Sequence, residues 1–225
     1  MAEAHKREEE DQGKTVIDKK DLPKTKSKTI YFKLQAAQIK PLLFCAVFIF
    51  FISACNQNNS WMPLNDGNEW KYSLYDKMNS KVVEIKVSGE TRVGTWKGTQ
   101  LSGNHGSTKL AWRGGKLYVS DLATMSFDPP LIMLQPGQPK SQWKYEGEAK
   151  TRFQSETVHA VITQEPKKYK ISETEFDCLQ VKIFMKFQDQ EIEQITYYSN
   201  NIGIIRQEQR NNGEFVYAMD WISGP

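Results

Sequence analysis

The chain has 225 residues, 39% of them hydrophobic and 25% charged, and a formal net charge of +3. Residues 1–55 hold 10 Lys and Arg against 7 Asp and Glu, which is the whole of that excess, so residues 56–225 are neutral by formal charge. A neutral remainder excludes nucleic-acid or anionic-lipid binding through a broad basic surface, while leaving room for a local patch.

Residues 1–40 are rich in Lys, Glu and Asp and read as a charged, disordered lead-in. Next comes residues 41–55, whose apolar stretch from Leu42 to Ala54 is 13 residues long. A helix crossing hydrocarbon needs about 20. Lys28, Lys33 and Lys40 in front, the compact apolar core, and small Ser53 and Ala54 at its exit match a secretory signal.

The tetrad Ile52-Ser53-Ala54-Cys55 resembles the end of a bacterial lipoprotein signal. The resemblance implies that Ile52, Ser53 and Ala54 are read by the signal peptidase, and that Cys55 takes a lipid and becomes the first residue of the mature chain. One acyl chain binds a bilayer marginally, two or three durably. The alternative is an ordinary cysteine ending an uncleaved signal anchor. Asn56 stands where an Asp accompanies inner-membrane retention in diderm bacteria, so the resemblance favours an outer membrane, on the periplasmic side, if the cell has two. Two features depart from the pattern: leucine is commoner at the place of Ile52, and the lead-in is long, with no second Met before Met62.

Residues 56–62 read as a short polar tether, which would keep the following domain close to the bilayer. Residues 63–225 then read as a single antiparallel β domain, a size that suits one core. Val83, Ile85 and Val87 alternate with Glu84 and Lys86, the period of a half-buried strand. Gly114-Gly115 and Asn211-Asn-Gly213 are hairpin signals between apolar runs. Pro129-Pro130 interrupts the one segment long enough to be considered for a helix, Met125 to Leu134. Leu179, Val181, Ile183, Met185 and Phe187 share a face. With turns at Gln188-Asp-Gln190 and Asn200-Asn-Ile-Gly203, the last 50 or so residues predict a four-stranded meander. At least eight strands joined by short turns imply an all-β domain with few or no helices, its antiparallel sheet strongly curved into a half-barrel. Trp70-Lys-Tyr72 and Trp143-Lys-Tyr145, 73 residues apart, are a faint internal echo.

The blocks Met62 to Tyr72, Leu134-Gln-Pro136 before Trp143, Phe176 to Val181, and Tyr197 to Ile204 resemble, as an ordered set, a broad group of uncharacterised bacterial lipoproteins. The resemblance implies a half-barrel similar to the domain of periplasmic lipoprotein carriers, and transfers no catalytic residue. Ser172-Glu-Thr-Glu175 stands where the group has a glycine turn.

Candidates for chemistry are few. His105 sits in a Gly-rich loop and His159 in a strand-like run, without the spacing of a metal site. No cofactor or metal is expected. Cys178, within a strand, reads as a buried, inert thiol once Cys45 leaves with the signal and Cys55 is consumed. The six tryptophans and 11 phenylalanines either fill a core or line a concave apolar cavity, for which Trp70, Trp143, Met185 and Phe187 are the candidate residues. Core packing is the simpler account. The functional expectation is a non-enzymatic, lipid-anchored cell-envelope protein, held to the membrane through Cys55, that binds or scaffolds, with an apolar small molecule as its guest. The alternatives are a protein-docking module of an envelope complex, and an envelope hydrolase using His105 or His159.

Overall fold

Alternating apolar and polar side chains become strand almost throughout. The computed structural model describes residues 59–104, 106–151, 154–187 and 189–225. The lead-in, the signal, Cys55 and His105 lie outside the described residues. After a single 3-10 turn, Asn59–Trp61, come β1 (Glu69–Asp76), β2 (Ser80–Val93), β3 (Trp96–Gly103), β4 (Gly106–Arg113), β5 (Lys116–Ala123) and β6 (Met125–Leu134). They are followed by β7 (Ser141–Lys150), β8 (Ser155–Ile171), β9 (Thr174–Lys186), β10 (Glu191–Ser199), β11 (Gly203–Asn211) and β12 (Glu214–Ser223). The expected C-terminal meander is β9 to β12.

Every strand pairs antiparallel with its sequence neighbour, and β1 also pairs with β12, from Lys71 with Ser223 to Asp76 with Tyr217. The strongly curved antiparallel sheet therefore curls further than a half-barrel and closes. Two features explain the extra curl. Register shifts interrupt six of the ladders, among them Lys71/Tyr72 and Tyr197/Tyr198, and each bulge adds twist and bend. Closure also pairs two edges that a half-barrel would leave open.

The ring is thinnest between β6 and β7, where only Ser126, Phe127 and Asp128 pair with Lys150, Ala149 and Glu148. Pro129 and Pro130 follow at once and have no N–H to continue the ladder. Side chains take over. The Tyr145 hydroxyl donates to Pro129 O at 2.8 Å and Trp143 Nε1 to Ile132 O at 3.1 Å. From β8, buried Gln164 accepts from Gln135 N and donates to the carbonyls of Gln135 and Gln138, all at 2.9 Å.

Inside the ring lie Trp70, Tyr72, Val83, Leu117, Ile162, Val181, Tyr198 and Ile205 among other buried side chains. Outside, Lys71, Glu84, Lys86 and Glu69 form a linked set of ion pairs, and Lys182 pairs with Glu193. A barrel that spans a membrane alternates apolar-out and polar-in. This one has the opposite polarity and faces water.

The segment before β1 closes one end. Asn201 N donates to Ser60 O at 2.7 Å, Trp112 Nε1 donates to Met62 O at 3.0 Å, and Met62 is 2% exposed. Trp70 Nε1 donates to Ile202 O at 2.6 Å across the same mouth. The turns β2–β3, β4–β5, β6–β7, β8–β9 and β10–β11 lie on this rim, which is called the near rim below.

Candidate functional site

Of the four residues expected at an apolar cavity, Trp70 and Met185 are fully buried in the core, and Trp143 and Phe187 pack half-buried against it. They fill rather than line. His159 is two-thirds exposed on β8, with Nδ1 3.9 Å from the equally open Glu146. Cys178 is buried on β9, its thiol donating to Phe176 O at 3.3 Å, and burial pushes its pKa up to about 11. Grooves indent the surface at both rims. One of about 450 Å³ lies at the rim away from the entering segment, lined by Lys77, Met78, Asn211, Glu214 and Phe215. Another, about 540 Å³, lies beside that segment, lined by Pro63, Leu64, Lys97, Thr99, Trp112 and Asn201.

The densest arrangement of functional side chains is on the outer face of β8 to β12 and β1. Ladder register sets one row across it: Gln180, Tyr197, Arg206, Asp220, Ser73 and Val82, on six consecutive strands of the ring. Arg206 is the centre. Its Nη1 donates to Asp220 Oδ1 at 2.7 Å and to the Tyr75 hydroxyl at 2.8 Å, and its Nη2 to Glu208 Oε2 at 3.2 Å. The guanidinium lies 5.6 Å from the Tyr169 ring and 6.0 Å from the Tyr75 ring, within cation–π range. Tyr169 meets Tyr197 at 4.6 Å between ring centroids, and Tyr75 stacks on Phe215 at 6.2 Å.

Arg206 and Glu208 are each 16% exposed as side chains. Burial opposes the charge on both, and their partners outweigh it. Asp220 and Tyr75 hold the Arg206 pKa above its ordinary value. The guanidinium groups of Arg210 and Arg206 hold the Glu208 carboxyl below the usual carboxylate range. Burial also raises the Tyr169 phenol. With Arg206 and Arg210 matched by Asp220 and Glu208, the cluster is a neutral platform of aromatic rings tied by one arginine. Such a surface suits recognition by contact rather than proton transfer.

The sequence assigned none of these residues a functional role, although Gln180 and Tyr197 fall within the blocks that carry the resemblance. Alternation alone puts Tyr197, Arg206 and Tyr75 on outward faces, but their meeting depends on the closed ring, which brings β1 beside β12. The long β8–β9 hairpin supplies the rest: its end carries Tyr169 to Arg206 and Phe176 to Trp221, whose ring centroids are 5.9 Å apart.

These features define a water-facing antiparallel barrel of twelve strands, packed inside and aromatic on part of its outside. The chain is similar to the crystal structure of a candidate lipoprotein of Parabacteroides distasonis, at 14% identity and a TM-score of 0.48, over 73% of this chain and 98% of that one. It is similar also to a candidate exported protein with a YmcC-like fold from Bacteroides fragilis, at 13% identity and a TM-score of 0.48, over 72% of this chain and 96% of that one. A third is the hypothetical lipoprotein YmcC of Escherichia coli, at 10% identity and a TM-score of 0.37, over 78% and 96%. No protein-family model and no curated protein sequence matches the chain.

Proposed function

We propose that this chain is a lipid-anchored protein of the bacterial cell envelope, held through Cys55, whose barrel binds or scaffolds through its outer surface without catalysing a reaction. The observation that carries the second half is the packed interior: Trp70, Tyr72, Met185 and Tyr198 occupy the space in which a carrier would hold an apolar guest. A protein-docking module needs a filled barrel and apolar groups outside it, and Val82, at 62% exposure, and Ile222, at 49%, stand on the two strands that flank β1. His159, two-thirds exposed on β8, stands in an open setting that argues against its own use by a hydrolase.

Native mass spectrometry of the processed protein during phospholipid titration tests the filled interior. The expected spectrum shows protein carrying no lipid beyond its covalent anchor. A stoichiometric, saturable lipid adduct would return the apolar-guest reading. Labelling with a fatty-acid analogue tests the anchor: label is expected on the wild type and lost in Cys55→Ser.

A further inference from the structure

The neutral charge balance of residues 56–225 hides an uneven distribution. Three consecutive turns of the near rim, residues 91–97, 112–117 and 134–142, contain Arg92, Lys97, Arg113, Lys116 and Lys140 and no Asp or Glu. Lys97 pairs with Glu90 at 3.6 Å. Among the described residues the other four cations have no carboxylate within ion-pair distance, and Arg113 instead lies 4.7 Å over the Trp96 ring. Trp96 in turn meets Tyr118 edge-on at 4.8 Å, so two of these turns are in contact through their aromatics. The acids of the same rim are Asp66 in the entering segment and, across the ring at the β8–β9 turn, Glu173 and Glu175, which are paired with Lys170 at 3.3 Å and Lys168 at 2.6 Å. The far rim is mixed, with Lys77 bound to Glu214 at 2.8 Å and Asp76 and Asp189 at its turns.

The same rim receives the start of the chain. Ser60 and Met62 are fixed there by Asn201 and Trp112, and the few residues from Cys55 to Ser60 span at most about 18 Å when fully extended. A lipid on Cys55 would hold this end of the barrel within roughly that distance of the bilayer. That reach is an upper bound of about two Debye lengths, so the tether lets the rim approach within the one Debye length over which clustered Lys and Arg are drawn to anionic headgroups.

We infer that the rim carrying Arg92, Arg113, Lys116 and Lys140 is a membrane-facing surface that engages the phosphates of anionic phospholipids and sets the barrel upright on the bilayer. This rests on the proposed anchor. It leaves the Arg206 face on the side wall of the barrel.

The test uses the full-length chain, expressed where export and processing run, extracted in detergent and reconstituted into phosphatidylcholine vesicles with and without phosphatidylglycerol. A fluorophore is attached at Thr95→Cys on the near rim or at Met78→Cys on the far rim, and quenched by spin-labelled headgroups. In anionic vesicles the Thr95 label is expected to be quenched several-fold more than the Met78 label. That difference should shrink at high salt, in neutral vesicles, and in Arg92→Glu/Lys116→Glu/Lys140→Glu. Equal quenching at both positions in a chain that floats with the vesicles, or a difference untouched by salt, would overturn the rim surface and leave the anchor standing. Flotation that is absent, or that survives Cys55→Ser, would overturn the anchor and the inference built on it.

Discussion

Arg206 donates from Nη1 to the hydroxyl of Tyr75, 131 positions earlier in the chain and two strands away around the ring. The bond crosses the closing ladder between β1 and β12, so it is a side-chain rivet over the last joint of the barrel. Removing the guanidinium leaves Asp220 half-buried without its cation and Glu208 with Arg210 alone. Arg206→Met is expected to lower unfolding free energy by about 2–3 kcal/mol, and Tyr75→Phe by about 1 kcal/mol. Urea unfolding measures both, and an unchanged midpoint for Arg206→Met would show that the cluster contributes no stability.

The joint between β6 and β7 depends on Gln164 in the same way. Gln164→Leu keeps the volume nearly constant but strips Gln135 N of its acceptor inside the core. The expected loss is about 2 kcal/mol, with faster hydrogen exchange at the amide of Gln135 than at strands on the opposite side. Equal protection factors in the two proteins would mean that the clamp is redundant.

The pH dependence follows from Glu208. A carboxyl whose folded pKa is depressed contributes stability that is present above its unfolded value and is lost as pH falls through the folded one. Stability is therefore expected to decline from about pH 4.3 downward, with Asp76, Glu84 and Glu214, also held low by their partners, contributing to the same slope. In Arg206→Met/Arg210→Met the Glu208 share disappears and the slope becomes shallower. Denaturation midpoints at a series of acid pH values check the sign.

Cys178 gives the alkaline counterpart. Its thiol is raised to about 11 by burial, so ionisation favours the unfolded chain once pH rises above about 8.5. In Cys45→Ser/Cys55→Ser, which leaves one thiol, Ellman's reagent at neutral pH is expected to react only after urea is added. Rapid reaction of the folded protein would place the sulfur at the surface.

Strands were legible where one face is apolar and the other charged: Leu179 to Met185 in β9 and Val83 to Val87 in β2 face as their alternation implies. The Gly114-Gly115 and Asn211-Asn-Gly213 turns stand where expected, with positive φ at Gly114, Gly115, Asn212 and Gly213. Closure was not legible, because bulges at positions such as Tyr197/Tyr198 leave no mark in a period-two pattern, yet they supply the curl that brings β1 to β12. Of the residues offered for a cavity, Trp70 and Met185 are buried in the core. The Arg206 cluster escaped notice because its members are scattered from residue 75 to residue 220 and are ordinary strand residues one by one. Charge counting over the whole β domain likewise averaged away the basic rim.

The ladder that pairs Lys71 with Ser223 means that the ring has no structural first strand. Opening and final strands end side by side, so joining them and cutting instead at a turn of the opposite rim, such as Asn212, would preserve every interstrand pairing. Strand order along the gene is then only one of several equivalent ways to lay the same barrel. The proposed anchor on Cys55, rather than the hydrogen-bonded ring, would give this molecule a beginning.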